Sequence, residues 1–505
     1  SAVLRFSTKT AVSISPEEAK GTVGVYSRSG CGRDTLGRRL LALAYAKRSA
    51  AIAIRKWKEE GHFVQKYELN RIVRELRRQK RYKHALEVCE WMRLQHDICL
   101  LPGDYAVHLD LIGKVRGLTS AEKFFEDLPE RMRNHTTCSA LLHAYVRHGE
   151  EEKAEALMEK MSECGFLLSP VPFNHMISLY KSAGDLWKIP GTMKRLYKST
   201  TPDLVTFNLC LAACASQDSV QVAESVLLEM AKAKIEPDWM THSTMASMYA
   251  KNSLTAKAES SLEEMEKRVT RKDRAAYPSL ISLYASLRNG DEVLRLWTKM
   301  KSLYRKLHDE EYRCMIDSLS KLRRLEEAER VYAEWEAVSP TKDPRIPNLL
   351  LAAYVNDGQI ERAEEFSRRT ADGGVKPSYA TWEILARGYV RRGMLSRALE
   401  SFRAAVRSVR RWDPDEELVR GMLELIEDRG DVGAAEEMVA ALRRGGFGNA
   451  AAVYKSLLRT YVRAGKMPLV VCERMEKDGV VMDEEIEGLV ASTRTLCVSD
   501  VPHDI

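Results

Sequence analysis

Apolar positions in this chain carry two superimposed periods. At short range they recur at helical spacing, first near Arg38 with Leu40, Leu41, Leu43 and Ala44, and then through Ala51-Ile52-Ala53-Ile54 to Trp57. Gly61 follows as the C-terminal stop of that helix. At long range one residue pattern repeats. Val205-Thr206-Phe207-Asn208 opens a unit that carries Val222-Ala223-Glu224 and closes on Glu236-Pro237-Asp238, and Met240-Thr241-His242-Ser243 opens the next. Taking Phe207 as the anchor, the equivalent residues are Leu69, Val107, Cys138, Phe173, Phe207, His242, Tyr277, Tyr312, Pro347, Trp382, Leu418 and Tyr454. Five consecutive spacings from Phe207 to Trp382 are 35 residues, and the rest lie between 31 and 38. A fixed period of this size is the mark of a solenoid.

Two further positions give each unit its shape. Seven residues after the anchor stands a tyrosine in seven copies: Tyr145, Tyr180, Tyr249, Tyr284, Tyr354, Tyr389 and Tyr461. Two helical turns separate it from the anchor, so both lie on one face of a first helix. Sixteen residues after the anchor stands an alanine in eight copies, Ala85, Ala154, Ala223, Ala258, Ala328, Ala363, Ala398 and Ala434, small enough for a second helix to approach its neighbour closely. Turn residues such as Asn356-Asp357-Gly358 lie between. The pattern predicts an all-α, right-handed α-solenoid of about twelve helix–turn–helix repeats, whose hairpins bury their apolar faces only against one another. Residues 1–37, rich in Gly, Ser and Thr, read as a flexible segment; 38–66 as a helical cap; 67–483 as the array; and 484–505 as a closing helix and tail. The copy at Val107 is short, and Ile189-Pro190 replaces the usual pair in the copy at Phe173, where proline predicts a broken or late-starting second helix.

These residues carry a family resemblance. The 35-residue hairpin with its V-T-[YF]-N start, tyrosine, Ala-Glu pair and K-x-x-P-D-like ending resembles the pentatricopeptide repeat over about residues 67–483; the tetratricopeptide repeat, with a shorter period and another signature, fits less well. Tyr67–Arg77 and Arg81–Met92 resemble a group of plant mitochondrial pentatricopeptide proteins of the all-35-residue class, some of them similar to proteins built into the plant mitochondrial ribosome.

The resemblance implies RNA binding. In the family each repeat reads one base through the residue after the anchor and the residue four before the next anchor, short polar groups meeting the edge of an unstacked base. The matching pairs are Asn174 with Asp203, Asn208 with Asp238, Ser243 with Asp273, and Asn348 with Ser378. The first two match a uracil-favouring pair, the third is near a guanine-favouring pair and the fourth close to a pyrimidine pair. Elsewhere Pro278, Arg313, Glu383 and Val419 occupy the reading position, so the code is eroded. The bland alternative makes the Asn and Asp residues helix caps.

Charge adds a second possible grip. Lys and Arg exceed Asp and Glu by only 7, which permits contact with nucleic acid without requiring it. Within that balance two basic stretches stand out: Arg71, Arg74, Arg78 and Arg81 near the N-terminus, the first three on one helix face, and Arg407 with Arg411 near Trp412. Such patches hold phosphate without reading sequence, or are solvated faces. The acid-free stretch Ser1–Ser15, with Arg5 and Lys9, has the composition of a transit-peptide remnant or of an ordinary terminus. Ten scattered cysteines without a CxxC pair suit free thiols in a reducing compartment.

No enzymatic motif is found: there is no HExxH, no phosphate loop, and no zinc-deaminase signature. Cys210 and Cys214 share a helix face, and Cys214 takes the tyrosine position, which favours packing over metal binding. The expectation is therefore a mitochondrial matrix protein with neither catalysis nor cofactor, no membrane span and no small-molecule substrate. It would be a structural RNA- and protein-binding component of the plant mitochondrial ribosome, the large subunit favoured, with ribosomal RNA and ribosomal proteins as partners. The alternative is a free factor that binds one messenger RNA for its stability, processing or translation.

Overall fold

The computed structural model describes residues 35–43, 49–339, 343–409, 415–445, 451–468 and 470–495. The expected flexible segment up to residue 34 and the tail from residue 496 lie outside them, as do Arg411 and Trp412. Among the described residues there are helices and no strands. Twelve hairpins follow one another, from Lys66–Arg78 with Tyr82–Arg93 to Ala451–Arg463 with Val471–Lys477. Leu36–Leu41 and Ala50–Glu59 precede them and Glu484–Thr495 follows.

The chain divides into two compact units, one ending at Thr201 and one starting at Pro202. Within each, first helices pack on their own second helices and on the next first helix, as Pro102–Val115 does on His135–His148 and Asp309–Lys321 on Arg345–Asn356. The anchors explain the stacking. Leu69, Phe173, Phe207 and Tyr454 are fully buried, and every one of the eight repeated alanines is buried too. A Cβ alone at that position lets backbones approach; a larger side chain would force them apart. In the second unit one continuous hydrophobic core runs from Ala246 to Val490, as expected of a one-dimensional stack.

Local signals place the helix ends. Asp203, Asp238 and Ser378 are N-caps whose side chains accept from the backbone N–H of Thr206, Thr241 and Thr381, each in a reciprocal capping box. Gly61 adopts φ 85°, just beyond the helix ending at Glu59. Pro190 does what its position predicts: a 3₁₀ turn over Leu186–Lys188 precedes a late helix, Ile189–Ser199, with the proline in its first turn, where a missing N–H costs nothing. The short copy at Val107 has a second helix of only 9 residues, Leu118–Glu126. The closing helix begins at Glu484, after Asp483 caps Ile486 N–H. No helix among the described residues is long and apolar enough to cross a membrane.

Candidate nucleic-acid interface

The first helices supply the row of polar residues singled out by the sequence. Asn208 stands one residue past its buried anchor, on the helix Leu204–Ser216, and Asp238 caps the next first helix, Trp239–Lys251. The fold brings them together: Asn208 Nδ2 donates to Asp238 Oδ1 over 3.2 Å. Thr241 completes the group, its hydroxyl 2.7 Å from Asn208 Oδ1 and 2.9 Å from Asp238 Oδ1, while accepting from Asp238 N–H over 3.2 Å. The same arrangement recurs four repeats on. Asn348 Nδ2 donates to Ser378 Oγ over 3.2 Å, and Thr381 Oγ1 donates to Asn348 Oδ1 over 2.8 Å. Helix capping and amide positioning are thus one network, and the capping alternative does not compete with a reading role.

Asn174 is buried in the first unit, while Asp203 caps its own helix in the second. Ser243 and Asp273 are not hydrogen-bonded to each other. Asp273 turns back to Thr270, accepting from its N–H over 3.1 Å and its hydroxyl over 2.6 Å, because Ala275 rather than Asp273 ends up as the N-cap of Ala276–Ser286. A second Asn–Asp contact lies outside the four predicted pairs: Asn70 Nδ2 donates to Asp104 Oδ1 over 3.1 Å in the first unit. The family register would have put Gly103 there; the shifted spacing of the Val107 copy hid it.

The basic cluster near the N-terminus is largely committed to the fold. Arg81 is half-buried and donates to the carbonyls of Leu40, Leu41 and Leu43, so it caps the C-terminal end of Leu36–Leu41 and does not stand free as a phosphate grip. Arg78 is exposed and paired with Glu75 through two hydrogen bonds of 2.7 and 3.0 Å. Arg71 and Arg74 are exposed, Arg74 with only a 3.3 Å bond from Nε to the Asn70 carbonyl. Arg77, on the same helix Lys66–Arg78, joins Lys114 and His143 around the buried carboxylate of Asp110, at 2.8, 2.7 and 3.3 Å. Burial alone would push that carboxyl up, but these partners outweigh it and hold it well below the usual range. Of the second cluster, Arg407 is exposed and Arg403 pairs with Glu437; Arg411 lies outside the described residues.

Cys210 and Cys214 are buried, and burial pushes the Cys210 thiol up to about 12. Neither is poised to be a thiolate. His108 and His175 are buried as well and held neutral, at about 4 and about 3, chiefly by desolvation. His242 is half-buried at its anchor position, with Nε2 unpartnered.

A second recurring group was not seen in the sequence as a unit. The repeated tyrosine donates to the glutamate of the preceding Ala-Glu pair: Tyr180 to Glu155 at 2.9 Å, Tyr249 to Glu224 at 3.0 Å, Tyr461 to Glu436 at 2.8 Å, and Tyr354 to Glu329. A Lys or Arg of the tyrosine's own repeat reaches the same carboxylate, as Lys188, Lys257 and Arg362 do, and lies 5.2–5.6 Å from the tyrosine ring centre. Each such joint is a Tyr–Glu–cation stitch between neighbours.

Comparison with known proteins agrees with this architecture. The PPR repeat model matches residues 136–166, 240–268, 276–304, 312–337 and 380–408; the PPR repeat family model matches 202–251, and the pentatricopeptide repeat domain model 156–217. A mitochondrial pentatricopeptide repeat-containing protein of Arabidopsis thaliana is 52% identical over 474 residues, covering 94% of this chain and 89% of that protein. A second mitochondrial member from the same plant is 33% identical over 92% of this chain and 95% of its own length. Among solved structures, the maize pentatricopeptide repeat protein PPR10 is similar at 17% identity and a TM-score of 0.43, covering 93% of this chain and 78% of its own. With tandem hairpins, a signature repeated at fixed spacing and relatives matched almost end to end, the chain belongs to the pentatricopeptide repeat family, among its mitochondrial members.

Proposed function

We propose that the protein binds single-stranded RNA along the row of first helices, and does so without catalysis. The observation that carries this reading is the pair of interlocked Asn groups, Asn208–Asp238–Thr241 and Asn348–Ser378–Thr381, which hold an amide edge in a defined orientation at two joints of the second unit. Such edges suit unstacked bases. By family resemblance the first group favours uracil and the second a pyrimidine.

Between these groups the reading positions hold Ser243, Pro278 and Arg313, and beyond them Glu383 and Val419. Burial pushes the carboxyl of Glu383 up, and it sits against Arg387, itself held by Asp415. At about 1–3 kcal/mol for each well-read base, so few readable repeats do not single out one message in a transcriptome. We therefore place the protein in the matrix as a component of the mitochondrial ribosome, large subunit first, holding ribosomal RNA by shape and phosphate contact and touching ribosomal proteins. The second reading, a free factor acting on one messenger RNA, is favoured by one observation: the two Asn groups are built alike.

Sedimentation of a mitochondrial lysate separates the two. Co-migration with a ribosomal subunit at high salt, lost when magnesium is removed and the subunit unfolds, is the expected result. A slow, nuclease-sensitive particle would rule out the ribosomal reading and leave the free factor.

A further inference from the structure

The threonine just before the anchor does two things at once, and only where a reading Asn precedes it. Thr241 and Thr381 are both buried. Each closes a capping box with the residue three before it, and each also turns its hydroxyl to the side-chain carbonyl of an Asn on the previous first helix, at 2.7 and 2.8 Å. We infer that Thr241 and Thr381 are positioning residues that fix the amides of Asn208 and Asn348 for base reading; the inference rests on the RNA-binding function proposed above.

The two copies should not depend on the threonine equally. Asp238 accepts only, so its carboxylate alone keeps the nitrogen end of the Asn208 amide facing it. Ser378 can donate or accept and can face either end of the Asn348 amide, so Thr381 decides how Asn348 stands. Ser243 shows the arrangement without the threonine. The residue before the next anchor there is Ala276, and Ser243 has no bond to Asp273. Thr137 gives the reverse case. It closes a capping box with Asn134, but the preceding reading position is His108, so there is no amide to hold.

These cases define the test. The full chain and its variants T381V, T381S, T241V and T137V are each mixed with a random-sequence RNA pool, and bound RNA is sequenced. In parallel the side-chain amide of Asn348 is followed by NMR after selective ¹⁵N-Asn labelling. The wild-type chain should enrich a short motif. T381V should flatten the preference at one nucleotide from about ten-fold to near parity and speed solvent exchange of the Asn348 amide by about five-fold. T381S should restore both, T241V should do less at its own nucleotide, and T137V, with the same cap lost, should leave the motif unchanged.

An unchanged motif in T381V overturns the positioning role, as does a T137V effect equal to that of T381V. If the wild-type chain enriches no motif, base reading itself fails and takes the positioning role with it. The amide exchange then reports separately whether the hydroxyl holds Asn348.

Discussion

At the residue scale the turns between the two helices of a repeat carry an unexpected regularity. The residue eleven after the anchor has positive φ in almost every copy. It is Gly149, Gly184, Gly358, Gly393 or Gly465 in some, and Lys80, Asp218, Ser253, Arg288 or Arg323 in others, at φ 50–59°. A side chain costs roughly 1–2 kcal/mol in this left-handed region, a cost that glycine escapes. Arg323→Gly should therefore raise stability by up to about 1 kcal/mol once the extra freedom of the unfolded glycine is subtracted. Gly358→Ala, at φ 77° with open space around its Cβ position, should lower it by about 1 kcal/mol through backbone strain alone. Denaturant midpoints of the two variants check both signs. Only half of this rule was legible in the sequence: Gly358 announces a turn, whereas Arg323 in the same conformation looks like any exposed arginine. The reading residues split in the same way. Asn208 and Asp238 are legible as a pair, and the threonine joining them is not, because Thr241 in Met240-Thr241 reads only as part of the helix-start consensus.

At the element scale the stitch explains a correlation along the chain. In four copies the glutamate of the pair is absent and the tyrosine of the following copy is absent too: Leu86 with Lys114, Pro190 with Cys214, Leu294 with Leu319, and Leu399 with Leu425; where Phe124 and Ala435 stand at that position, Tyr145 and Tyr461 bond instead to the nearby Glu122 and Glu436. A buried tyrosine hydroxyl needs its acceptor, so the partners come and go together. Glu224→Gln keeps an acceptor for Tyr249 but loses the charge that holds Lys257; Glu224→Leu removes both and should weaken that joint by about 1 kcal/mol, read as faster amide exchange in Trp239–Lys251.

The stitches also set a pH window. The carboxyls of Glu155 and Glu224 are lowered, first by hydrogen bonds from Lys188 and Lys257. Their contribution is present above the ordinary carboxyl value and fades as pH falls through the lowered one. The phenol of Tyr249 is pushed up to about 12, chiefly by burial, so its contribution is full below about 10 and is lost as pH rises toward 12. For the whole chain stability should be flattest between about pH 6.5, below which the unfolded chain protonates histidines that His108 and His175 keep neutral, and about pH 8.5, above which it ionises thiols that burial keeps protonated at Cys89 and Cys210; the stitches steepen the fall below about pH 5 and above about pH 10. The sequence showed the tyrosine and the alanine as packing positions because helical period reports faces. It does not report which polar atoms meet across neighbouring helices.

At the scale of the whole molecule the charge balance matters more than any one patch. The net excess of 7 is small for 505 residues, and most of the N-terminal arginines are used inside the fold. RNA affinity should therefore fall only gently with salt. Replacing Arg71 and Arg74 by alanine should make the log–log slope shallower by about 1.4, two phosphates at about 0.7 each for a single strand. Replacing Arg81 should instead loosen Leu36–Leu41 and leave the slope alone.

The leucine joints have a mechanical consequence. A stitch is directional: its hydrogen bonds hold two neighbouring hairpins at one angle and one offset. Leu319 and Leu399 belong to the apolar core of the second unit and Leu294 and Leu425 pack against it, and apolar contacts are non-directional, so they tolerate sliding at little cost. That unit is then a spring with coils of unequal stiffness, firm at Tyr249 and Tyr354 and compliant at Leu319 and Leu425. Stretched by its ends in an optical trap, it should lengthen first at the leucine joints, and a Leu294→Glu, Leu319→Tyr pair should stiffen one of them.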